Sequence, residues 1–307
     1  MQQRHAYLVG ANGPQQTQVT PLQYAEQDVG RLEQAFNTYP CKFARVQSVI
    51  ANASNTVTEG LEEFAETCQS PDLLVVHFSG HAKSENGELY LIGNNTVFQQ
   101  DGRLRLSTTI KIRDIKEILD RYQIRHKLLI LDCCYSGTAL GGGAYRGNEE
   151  IEETLEQLKG STSAILTACS FREKARELDT LNDDQGGGFL SWVVTSACTS
   201  SFSEVAREDA LSLTDIWKWL EDTALISVNK TLPQQEQIPR PRLLNDRVAG
   251  IDNEIWFTSN RRAFRSDTFT AEQRQREELA LLPQEEFLQQ YCSGANVEDF
   301  DRAKVQE

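Results

Sequence analysis

Residues 73–78, 128–131 and 164–168 are apolar almost without interruption. Such runs suit strands buried on both faces of a sheet. A shorter run at 6–10 ends in Gly and Asn, as a strand and its exit loop would. Between these runs the apolar spacing changes to that of helices. Tyr24, Ala25, Val29, Leu32 and Phe36 share one face of a segment spanning 22–39, which Pro40 closes. Val57, Leu61, Phe64 and Ala65 do so within 56–68, and Ile112, Ile115, Ile118 and Leu119 within 109–122. Residues 43–50 alternate as a strand does, and 89–92 fit a short strand or hairpin arm. Helices are expected again at 189–197 and 213–226, and a late strand at 254–257. Strands alternating with helices predict an α/β fold, a mostly parallel central sheet flanked by helices on both faces.

In such sheets the working residues lie at the carboxyl ends of the strands. The run at 73–78 enters Ser79-Gly80-His81, and the run at 128–131 enters Asp132-Cys133-Cys134-Tyr135-Ser136-Gly137. His81 and Cys134 therefore belong to loops directly after buried strands, at one sheet edge if those strands are neighbours. A thiol attacks a carbonyl as thiolate, with a nearby base that later protonates the leaving amine. Backbone N–H groups in a tight loop stabilise the oxyanion. Cys134 is the candidate nucleophile, His81 the acid/base, and the N–H groups of Ala82 and Cys134 the candidate oxyanion hole. His77 and His81 have the i, i+4 spacing of a zinc-binding helix, but the central Glu is missing and Ser79-Gly80 argues against a helix. No metal site is expected. The glycines at 141–143 and 186–188 lack the Gly-Lys-Ser/Thr of a phosphate loop.

The formal net charge of -14 argues against nucleic acid as a partner and favours basic substrates or partner surfaces. The 7 cysteines show neither disulfide-framework nor zinc-ribbon spacing, as in a reducing compartment. The apolar run at 6–9 is too short for a signal peptide, and no run approaches the roughly 18 residues of a membrane span. A cytoplasmic protein with no membrane partner is expected.

His-Phe-Ser-Gly-His at 77–81 and Asp-Cys-Cys-Tyr-Ser-Gly at 132–137 resemble the two catalytic motifs of metacaspases, paracaspases and bacterial orthocaspases. His81 precedes Cys134 by 53 positions, against roughly 50 in caspases. The Gln-Ala-Cys signature of animal caspases is absent. Tyr24-Ala25-Glu26-Gln27-Asp28 with Leu32 is similar to the family's first-helix motif. Leu166-Thr167-Ala168-Cys169-Ser170, Glu177 and Gly188-Phe189 resemble the start of its small-subunit region. The resemblance covers roughly 1–258, with a large-subunit-like part at 1–137, a connection at 138–163, a small-subunit-like part at 164–258 and a polar, partly helical tail at 259–307.

The resemblance implies a caspase-like fold and selects Cys134 over Cys133 as nucleophile. Strand alternation gives the same choice. It also implies cleavage after Arg or Lys, with Asp132, Asp28 and Ser79 forming the specificity pocket. Arg172 and Arg176 keep cleavage after Asp open. The chain departs from the family at Ala82, where Gly is usual, and at Tyr135, where many metacaspases have His. Family members are often cut in the connection after the nucleophile, and Arg146-Gly147 and Lys159-Gly160 are candidate self-cleavage bonds. The chemistry requires no cofactor. No calcium loop is recognisable, and calcium dependence and oligomeric state stay open. The expected function is a cysteine endopeptidase acting on proteins or peptides with a basic residue before the cut. The alternatives are an inactive caspase-like binding or regulatory module, and a thiol-dependent peptide transferase or ligase.

Overall fold

The structure, a computed structural model, describes residues 3–14, 19–70, 72–86, 88–134, 163–169, 175–206, 210–245 and 255–258. Its early elements are β1 (Arg4–Gly10), α1 (Ala25–Asn37), β2 (Arg45–Ile50), α2 (Ser54–Glu66), β3 (Leu73–Glu85) and β4 (Glu88–Ile92). β5 (Ile110–Lys111), α3 (Ile112–Arg121), β6 (His126–Cys134) and β7 (Ala164–Thr167) follow. Then come β8 (Glu177–Leu178), β9 (Gly187–Gly188), α4 (Phe189–Cys198), α5 (Phe202–Val205), α6 (Leu213–Trp219), α7 (Leu225–Thr231) and β10 (Arg242–Asn245).

Among the described residues the main sheet runs β10-β7-β6-β3-β1-β2, with β4 added to β3 and β5 to β4. The pairs β1–β2, β1–β3, β3–β6 and β6–β7 are parallel, while β10 and β4 pair antiparallel. The sheet is thus mostly parallel, as the alternation of elements predicts. Successive strand residues face opposite layers. Ala6, Leu8, Leu73, Val75, Leu128 and Ile130 join a core with α1, α4 and α6. Tyr7, Val9, Leu74, Val76, Leu129 and Leu131 join a second core with α2 and α3. A sheet covered on both faces needs apolar residues at every strand position, hence the uninterrupted runs.

Three expectations are corrected. His81 and Ala82 do not lie in a loop: β3 continues to Glu85 and folds back on β4 as a hairpin, with His81 opposite Ile92 and Ala82 opposite Leu91. The helix expected over 213–226 runs on to Thr231 through a π-helical stretch, Leu220–Ala224. In place of a late strand at 254–257, the described part shows one isolated bridge, between Ser212 and Trp256. The tail, Arg146, Lys159 and, Ser163 apart, the expected connection lie outside the described residues. No helix among the described residues is long and apolar enough to cross a membrane.

Candidate active site

The polar residues singled out above continue the α1/α4 face of the sheet. On β3 that face reads Val75, His77, Ser79, His81; on β6 it reads Leu128, Ile130, Asp132 and then position 134. The parallel register sets His77 beside Ile130, Ser79 beside Asp132 and His81 beside Cys134. Two residues 53 positions apart in sequence thus become direct neighbours across one strand pair. Cys133, one residue off this face, is 1% exposed and packs in the α2/α3 core. Ala82 belongs to the same core and is 1% exposed, so its extra methyl group lies away from the His81 face.

The His81 ring is held by backbone. Its Nε2 lies 3.0 Å from the carbonyl oxygen of Thr20. A carbonyl only accepts, so Nε2 carries the proton and Nδ1 the lone pair. Val19, packed with Tyr90, Ile92, Phe98 and Leu104, anchors the segment that delivers this carbonyl. Gly13 sits against the same Cδ2–Nε2 edge of the ring, where an added Cβ would stand 2.9 Å from His81 Cδ2. Burial pushes the His81 pKa below its ordinary value, and the bond to Thr20 works weakly against that.

Asp132 is 6% exposed. Its Oδ2 accepts from the Ser191 backbone N–H at 2.8 Å and from the Ser191 hydroxyl at 2.7 Å. Burial raises its pKa to about 6, against the lowering effect of those bonds. Asp28 is 1% exposed, accepts from the Gly188 N–H at 2.8 Å, and pairs with Arg31 at 3.1 Å. Burial, and then the charge of Asp132, raise its pKa to about 7. The two carboxylates flank Gly188: a Cβ there would stand 2.6 Å from Asp132 Oδ2 and 3.1 Å from Asp28 Oδ2. Only glycine lets the chain pass between them.

A recess of about 20 Å³, lined among others by Ser79, Gly80, Asp132, Glu177 and Gly188, opens beside Asp132. That volume holds one water. Asp28 is not among its walls. Glu177 is tied by two backbone N–H groups, those of Gln23 at 2.9 Å and Tyr24 at 2.8 Å. Arg176 donates to the Gln235 carbonyl at 2.7 Å, and Arg172 lies outside the described residues. His77 and His81 sit on a strand rather than a helix. Among the described residues, no group of His, Cys, Asp and Glu could hold a metal ion.

Sequence reasoning missed Ser191, Arg31, Thr20 and Gly13. None carries a motif; Ser191, Thr20 and Gly13 reach the site from distant segments, and Arg31 lies one helical turn from Asp28. His77 was weighed only as a metal ligand, yet its Nε2 lies 3.0 Å from Ser191 Oγ.

The caspase domain family model matches residues 3–243. No curated protein sequence matches the chain. Among solved structures, protein GSU0716 of Geobacter sulfurreducens aligns with a TM-score of 0.51 at 13% identity, over 81% of this chain and 95% of its own. Caspase-1 of Spodoptera frugiperda aligns at 0.49 and 10% identity, over 80% of this chain and 86% of its own. The Drosophila initiator caspase Dronc aligns at 0.47 and 12% identity, over 79% of each chain. With a caspase domain over most of its length, and the mostly parallel, two-sided sheet described above, the chain belongs to the caspase family of cysteine peptidases.

Proposed function

We propose that the chain is an active endopeptidase that cleaves after Arg or Lys, with Cys134 as nucleophile and His81 as acid and base. The observation that carries this is the register of β3 and β6, with His81 beside Cys134 and Ser79 beside Asp132 one pleat earlier. Cys134 loses its proton to His81 Nδ1, and the sulfur attacks the scissile carbonyl. The N–H groups of Ala82 and Cys134 hold the oxyanion. His81 then protonates the leaving amine, and water hydrolyses the thioester. No cofactor takes part in this sequence.

Specificity rests on Asp132, whose buried carboxylate gains most when a cation arrives. Ser79 lines the recess beside it. Asp28, already paired with Arg31, acts behind Gly188 and not by direct contact. Entry of a guanidinium requires a recess wider than about 20 Å³. Arg176 also lines the recess, with one guanidinium N–H given to the Gln235 carbonyl and the others left to receive an acceptor, so peptides ending in Asp belong in the same assay. Self-cleavage after Arg146 or Lys159 follows from the same specificity. Cys41, Cys68, Cys133, Cys169 and Cys198 form no disulfide, which supports a reducing, cytoplasmic setting.

Purified protein is expected to hydrolyse fluorogenic peptides ending in Arg or Lys. Cys134→Ala should abolish this, and Asp132→Asn should remove the preference for basic residues. Mass spectrometry should find cuts after Arg146 or Lys159 in the wild type and not in Cys134→Ala. If both proteins leave the peptides intact, the chain is a binding module. If added amines capture the acyl group in place of water, it is a transferase.

A further inference from the structure

Resting on the reading of Asp132 as the pocket carboxylate, we infer that Ser191 and His77 form a buried positioning relay that orients Asp132 for basic side chains. Ser191 is the third residue of α4, where backbone N–H groups have no partner inside the helix. Its N–H and its hydroxyl both point at one oxygen of Asp132, Oδ2. Oδ1 accepts no hydrogen bond from the described residues, so it is the oxygen left for a ligand.

The third member explains the hydroxyl's direction. A carboxylate only accepts, so Ser191 Oγ–H is committed to Asp132 and its lone pairs face the other way. His77 Nε2 stands 3.0 Å from that Oγ. The imidazole therefore donates through Nε2 to Ser191, which donates to Asp132. His77 is 0% exposed, and its Nδ1 has no hydrogen-bond partner. The Nε2–H tautomer leaves a lone pair, not an N–H, unanswered there. Burial lowers the His77 pKa to about 3, which keeps the ring neutral and the relay in this polarity. A site needed for packing alone is better filled by an apolar side chain than by a buried imidazole with one nitrogen unpartnered. His77 lies between Val75 and Ser79 on the same face of β3, where a leucine would extend the core. The relay gives this histidine a task.

The test compares Ser191→Ala, Ser191→Thr and His77→Phe with wild type, using Arg-ending and Lys-ending peptides across pH, with melting temperatures to establish folding. Loss of one hydrogen bond to a charged group is expected to raise KM of Ser191→Ala for both peptides roughly tenfold. kcat should change by less than about twofold. The acid limb of kcat/KM should move to higher pH, because the carboxylate loses a donor that favours its charged form. Ser191→Thr should restore both values, and His77→Phe should move them the same way by less. A folded Ser191→Ala with wild-type KM and an unmoved acid limb overturns the relay. So does a uniform loss of kcat that Ser191→Thr fails to rescue. The control Asp132→Asn separates the two claims. If it keeps basic selectivity, the reading of Asp132 falls and the relay with it. If it loses selectivity while Ser191→Ala keeps the wild-type KM and acid limb, only the relay falls.

Discussion

At the scale of single residues, the orientation of His81 depends on groups that carry no catalytic chemistry. Thr20 contributes only its carbonyl, and Gly13 only the absence of a Cβ. Gly13 has φ of +96°, a left-handed conformation that strains any L side chain. Gly13→Ala should therefore turn the ring away from its partner. kcat for an Arg-ending peptide is expected to fall at least tenfold with KM changed little, as steady-state kinetics will show. An unchanged kcat would mean that the ring is positioned by other contacts. His81 and Cys134 stood out as candidates because each follows a recognisable apolar run. The roles of Gly13 and Thr20 were not, because a glycine or an exposed threonine in a polar loop has many uses.

At the scale of elements, α1 begins without a side-chain cap of its own. Glu177, from β8, supplies the acceptors by taking the N–H groups of Gln23 and Tyr24. The Tyr24 ring, whose hydroxyl donates to Asp179, lies against Gly186, where an added Cβ would collide with it. Gly186 leads directly into the glycines that separate Asp28 from Asp132. Glu177→Ala is expected to cost about 1 kcal/mol in denaturant unfolding, and Glu177→Gln less. The helices of the first half were legible to within a few residues because each has an apolar face of regular spacing. β3 was read as ending before Ser79 because the apolar run stops there and enters Ser79-Gly80. The pairing of residues 81–85 with β4 is a contact between segments, which no window of sequence contains.

At the scale of the whole molecule, the fold buries two carboxylates on opposite sides of Gly188. Burial raises Asp28 to about 7 and Asp132 to about 6. In the unfolded chain both titrate near 4. Between those values the folded state holds more protons than the unfolded state, so this pair loses stability as pH rises from about 4 through 7. Asp28→Asn removes one titration. The unfolding free energy of wild type relative to Asp28→Asn should therefore decline over that window by a few kcal/mol, and then level off. A difference that stays flat with pH would mean that Arg31 fully offsets the burial of Asp28. Two carboxylates that strain the fold would be relieved by a cation, as the proposed preference for Arg or Lys requires.

Repeating apolar runs and helical faces are local properties, and they were enough to determine a mostly parallel, two-sided sheet. Strand alternation, also local, separates Cys133 from Cys134. The register that sets His81 beside Cys134, the passage of Gly188 between two carboxylates, and the bonds from Ser191 to Asp132 were decided by tertiary structure alone. Each joins segments that meet only once strand order and helix packing are set, and hydrogen bonds between groups so far apart leave no periodic trace in the chain.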